Sequence, residues 1–71
     1  LKWNYAKLRG RIREICGTQE KFAKLLGIGY VSLSKRLNNV LEFTQEEIFK
    51  SCEILKIPYS EIPVYFFTVE V

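Results

Sequence analysis

The side chains best equipped for chemistry lie in Tyr30-Val-Ser-Leu-Ser-Lys35 and its flanks. A phenol, a branched apolar side chain, two hydroxyls and an ammonium group stand there at helical spacing, and Leu33 and Leu37 fall one turn apart for a buried side. Groups of this kind recognise a surface rather than break bonds. The chain has no His and no Asp, and it carries no glycine-rich phosphate loop, nucleophile elbow or metal-ligand cluster, so no enzyme is expected. Cys16 and Cys52 cannot assemble an ordinary zinc site without His, and each lies in an apolar helical pattern that favours a buried thiol. No metal, cofactor or small-molecule substrate is expected.

The elements that must position these groups follow from periodicity and punctuation. Residues 4–16 predict helix 1, with Asn4 as N-cap, Tyr5, Leu8, Ile12 and Ile15 on one stripe, and Gly17 as its end. Thr18 caps helix 2, its hydroxyl accepting from the Lys21 amide. Phe22, Leu25 and Leu26 are expected to face inward, Ala23 to allow a close helix crossing, and Gly27 to end the helix. Gly29 opens helix 3, which runs to about Leu37 and stops at Asn38-Asn39. After an apolar linker, Thr44-Gln-Glu-Glu47 predicts a capping box and helix 4, which runs to about Lys56. Ile48, Cys52 and Leu55 point inward, joined by Phe49 or Ile54, and Pro58 ends the helix. Tyr59 to Pro63 is a short turn or a single helical turn. Residues 65–71 alternate and carry strand composition, with Lys2-Trp3 or another chain's copy as the mate, or both.

Gln19 to Asn38 resembles the helix-turn-helix of phage repressors of the lambda repressor and Cro class. That pattern has Gln first, a small Ala fifth, Gly ninth, and apolar residues fourth, eighth, tenth and fifteenth. Gln19, Ala23, Gly27, Phe22, Leu26, Ile28 and Leu33 meet it. The eighteenth place, usually apolar, holds Arg36, and Leu37 beside it is available for the core. The wider stretch resembles small prophage-encoded proteins, and the resemblance covers roughly residues 4–57. It implies a mainly α fold: a compact four- to five-helix lambda-repressor-like DNA-binding domain, here with a short C-terminal β-strand. Residues 1–71 then form a single domain, with the motif at 19–38 and the strand at about 65–71.

A helix-turn-helix places its second helix in the DNA major groove. On that reading Tyr30, Val31, Ser32, Ser34 and Lys35 read bases: Val31 meets a thymine methyl, Tyr30 packs on sugar or donates its hydroxyl, and Lys35 reaches guanine or a phosphate. The resemblance implies phosphate contacts from Gln19 and Asn38, with Lys21, Arg36, and Arg9 or Arg13 as weaker candidates. Residues 1–41 carry nine Lys and Arg against two Glu, net +7, and residues 42–71 carry two against six, net −4. One face for phosphates and another turned away suits this division.

The expected function is therefore sequence-specific binding to double-stranded operator DNA, as a transcriptional repressor of phage or prophage type. A 71-residue chain has room for one domain, so dimerisation is expected from this domain, through a tail strand carrying Phe66, Phe67, Val69 and Val71. A homodimer would set two recognition helices about 34 Å apart. The alternative is a protein-interaction module, antirepressor- or antitoxin-like, that keeps the fold but acts on a partner. No apolar run approaches the length of a membrane span, and the cytoplasm is the expected compartment.

Overall fold

Each predicted helix forms, and the punctuation of the sequence explains most of the boundaries. The computed structural model describes all 71 residues. Helix α1 spans Ala6–Cys16, α2 Gln19–Leu26, α3 Tyr30–Leu37 and α4 Gln45–Leu55; a 3₁₀ turn at Tyr59–Glu61 leads into the short α5, Ile62–Phe66. Asn4, expected as the N-cap of α1, stands one residue too early: Tyr5 is the N-cap and makes no side-chain cap bond, while the Asn4 side chain accepts from the Ala6 amide at 2.9 Å. Thr18 accepts from the Lys21 amide at 3.2 Å. Gly27 takes φ +86°, a left-handed conformation that glycine reaches without a Cβ clash, and its N–H donates to Ala23 O. Thr44 and Glu47 exchange both capping-box bonds, at 3.0 and 3.1 Å. Both cysteines are free, and burial pushes each thiol's pKa up.

The core lies between all five α-helices. Leu8, Ile12, Phe22, Ala23, Leu26, Leu33, Leu37, Cys52, Leu55 and Phe66 are buried in it. Ser51 is also buried, because its hydroxyl bonds back to Glu47 O at 2.6 Å. Two residues expected inside lie outside: Leu25 and Ile15 are exposed, each at the rim of an apolar stripe narrower than its periodicity suggested. On α4, Ile54 rather than Phe49 joins the inward side. That helix ends before Pro58: Lys56 adopts φ +56°, and Pro58 opens the following turn.

The expected C-terminal strand is absent. Tyr65 and Phe66 belong to α5, and the tail makes a single antiparallel bridge, Val69 to Trp3. Pro63, near the start of α5, is preset for a first helical turn, and Thr68 closes the end by donating to Val64 O at 2.7 Å. The first two residues of the expected strand complete a helical stripe instead: Ile62, Tyr65 and Phe66, at steps of three and four, turn toward the core. Phe66 meets Phe43 edge-to-face at 5.3 Å, and Phe43 meets Tyr5 in the same way at 5.5 Å. The mate of the tail is the chain's own N-terminal segment, with Asn4 N–H donating to Thr68 O and Glu70 N–H to Lys2 O. The side-chain amide of Asn39 takes both backbone groups of Trp3, at 2.8 and 2.9 Å, and so ties this clasp to the turn after α3.

Candidate interaction face on α2 and α3

The face begins where Gly27 turns the chain and Gly29, in extended conformation, starts α3. Leu33 and Leu37 anchor α3 in the core, which leaves its opposite side outward. Tyr30 is 47% and Val31 65% exposed, so neither pads the bundle. Ser32 and Ser34 are half-buried, and Lys35 is exposed. At the far end of α3 the amides of Val40 and Leu41 both return to Lys35 O, and both side chains stay exposed. The outward part of this unit is therefore largely apolar.

The residues expected to grip phosphate divide into two groups. Lys21 is exposed and makes no ion pair, and Gln19 stands at the first position of α2, lining an open groove of about 740 Å³ with Arg9, Arg13, Thr18 and Tyr30. Arg36 and Asn38 are instead committed to the fold. The Arg36 guanidinium makes a two-pronged contact to the Glu47 carboxylate, Nε to Oε1 at 2.8 Å and Nη2 to Oε2 at 3.1 Å, and it donates to Ser32 O at 2.9 Å. Its side chain and that of Glu47 are only 13% and 15% exposed. Burial alone would raise the Glu47 pKa; the guanidinium and the Thr44 amide outweigh it and hold that carboxyl below its ordinary value. Asn38 donates to Ser34 O and accepts from Arg9, which also donates to Leu37 O at 2.9 Å. These pairs account for the polar residue in the apolar eighteenth place: Arg36 joins α3 to the start of α4, and Leu37 fills the core beside it. The signal available in the sequence was that misplaced arginine together with a capping-box glutamate.

The expected dimerisation residues are also divided. Phe66 is 2% exposed, deep in its own chain's core, and is not offered to a second chain. Phe67 packs edge-to-face on Trp3 at 5.5 Å, and Val69 and Val71 are exposed.

Residues 1–69 match a family model described as a protein of unknown function, DUF739. The chain belongs to that family. This DUF739 chain is also similar to the solution structure of the modulator of repression (MOR) of the temperate bacteriophage TP901-1 from Lactococcus lactis, with 35% identity and a TM-score of 0.83. The match covers 99% of this chain and 97% of that one. Among functionally curated proteins nothing matches. The likeness is to a phage regulatory protein, a modulator of repression, and does not by itself extend to the lambda repressor or Cro class. No helix of this DUF739 chain is long and apolar enough to cross a membrane.

Proposed function

We propose that this DUF739 chain is a phage-type regulator that modulates repression by binding a regulatory protein, with a repressor as its partner in the cytoplasm of a bacterial host. The observation that carries this is the end-to-end similarity to a phage modulator of repression at 35% identity. The outward side of the helix-turn-helix supports it. Tyr30, Val31, Val40 and Leu41 offer apolar contact area, while Arg36 and Asn38 have spent their polar atoms within the fold. Exposed aromatic and aliphatic side chains at a helix start suit a protein surface, where such groups anchor binding.

The test is titration of the purified chain with the repressor of the same phage, followed by calorimetry. Binding without DNA, weakened at least about tenfold in Val31→Lys, is the expected result, since a charge forced into an apolar contact goes unpaired. No binding to that repressor, with tight and salt-steep binding to operator DNA, overturns it. That outcome would restore the second reading: sequence-specific binding to double-stranded DNA, with the chain as a homodimer. One observation favours this second reading, the groove that holds Arg9, Arg13 and Gln19 at the start of α2.

A further inference from the structure

Away from the recognition unit, α4 presents Glu46, Phe49, Lys50 and Glu53 outward, and the 3₁₀ turn brings Tyr59 onto Phe49. The two rings lie nearly parallel, 15° apart with centroids at 5.2 Å, yet Phe49 remains 54% and Tyr59 52% exposed. Single exposed apolar residues are ordinary, but a stacked pair half in water is an aromatic plate. The Tyr59 hydroxyl donates to Glu53 Oε2 at 2.9 Å, which holds a carboxylate beside that plate.

Carboxylates outnumber cations around the pair. Glu47 is paired with Arg36, while the Lys50 ammonium turns toward Leu26 O at 3.3 Å, capping the end of α2, and keeps its charge. Glu46, Glu53 and Glu61 then stand against Lys50 and Lys56, a net charge of −1 over residues 46–61 with the paired Glu47 left out. A guanidinium matches the plate and the carboxylate held beside it: the planar cation stacks on a ring face while its N–H groups fork to a carboxylate. We propose that Phe49, Tyr59, Glu46 and Glu53 form a second docking surface whose occupant is a basic protein segment presenting arginine side chains. This rests on the reading of the chain as a protein-binding regulator. A second copy of the chain is a poor occupant. Of its four arginines, Arg9, Arg11 and Arg36 are bonded within the fold, and only Arg13 is exposed without a partner.

The experiment is an NMR titration of the ¹⁵N-labelled chain with a Gly-Arg repeat peptide, the matching Gly-Lys peptide, and a short DNA duplex. The expected result is saturable shifts confined to residues 46–53 and 59–61 with the arginine peptide. The lysine peptide should bind at least about fivefold more weakly, and Phe49→Ser should abolish the site. Glu53→Gln, which leaves the aromatic pair in place, should weaken binding while core amides keep their positions. Equal affinity for both peptides, shifts elsewhere on the chain, shifts at these residues with duplex DNA, or self-association through them would each overturn the proposal. Failure of the repressor titration would leave these peptide results standing, so the two ideas fail separately.

Discussion

Removing either partner of the Arg36–Glu47 pair should cost more than removing both. The pair makes two charge-assisted hydrogen bonds at 2.8 and 3.1 Å from side chains 13% and 15% exposed. Bonds to charged groups contribute about 1.5–3 kcal/mol each, discounted here because the pair still touches water and because its desolvation offsets part of the gain. Glu47→Gln keeps an acceptor for the Thr44 amide but leaves the guanidinium uncompensated, at a cost of about 1.5–2.5 kcal/mol. Arg36→Leu leaves a carboxylate near the start of α4, where the helix dipole favours it, at a cost of about 1–2 kcal/mol. The double variant Arg36→Leu/Glu47→Gln removes both charges together and leaves an apolar side chain beside Leu37, and should cost only about 0–1 kcal/mol. Urea unfolding of the four proteins measures the cycle, and the coupling should be about 1.5–4.5 kcal/mol. Against a total stability of about 4–11 kcal/mol for a chain of 71 residues, this is a large signal. Costs that add to within about 0.5 kcal/mol would refute the reasoning and leave Arg36 as a solvated charge.

Three further outcomes follow from the same contacts. Because the folded-state pKa of Glu47 is depressed, its contribution is fully present above the ordinary glutamate value of about 4.3 and is lost as pH falls through the folded value; wild type should lose its thermal advantage over Glu47→Gln below about pH 4. Phe66→Ala should cost about 3–5 kcal/mol and Val69→Ala under about 1, with unfolding midpoints independent of protein concentration; comparable losses that vary with concentration would restore the tail as a dimer strand. Gly27→Ala should cost about 1–2 kcal/mol by calorimetry, since φ is +86° while the added Cβ meets only the flexible Lys50 ammonium at 3.5 Å.

Local chemistry was legible wherever one residue type has one use. Thr18, Gly27 and the Thr44–Glu47 box act within a turn of themselves, and all sit where their types demand. The buried set of the motif was legible for the same reason, because Phe22, Ala23, Leu26 and Leu33 repeat at helical spacing. The tail was misread because Phe66 and Tyr65 suit a strand and a short helix equally, and only packing against Phe43 decides between them. The fold-internal roles of Arg36, Asn38 and Arg9 were not legible because the pairs Arg36–Glu47 and Arg9–Asn38 join residues 11 and 29 apart in the chain. Long-range polar pairs of this kind leave no periodic trace. The Phe49–Tyr59 plate was missed likewise, as a stripe residue on α4 and an isolated turn tyrosine.

The net charge of +7 in residues 1–41 overstates what the chain can bring to phosphates. Arg9 is bonded to Leu37 O and Asn38, Arg11 to Leu55 O, Lys56 O and Glu14, and Arg36 to Glu47. Lys7 lies over the Tyr65 ring at 5.5 Å. Arg13, Lys21, Lys24 and Lys35 remain exposed and unpaired on the first three helices, and so does the Lys2 ammonium in the N-terminal segment, whose backbone alone joins the clasp. Each phosphate contact contributes about −0.9 to the log–log salt slope on duplex DNA, so five contacts give about −4.5 per chain at most. Filter binding or fluorescence anisotropy over a range of salt concentrations measures that slope. A value steeper than about −5 per bound chain would require the guanidinium groups to leave their carbonyl and carboxylate partners on DNA. The fold-internal role assigned to Arg9, Arg11 and Arg36 would then be wrong, and with it the preference for a protein partner over an operator.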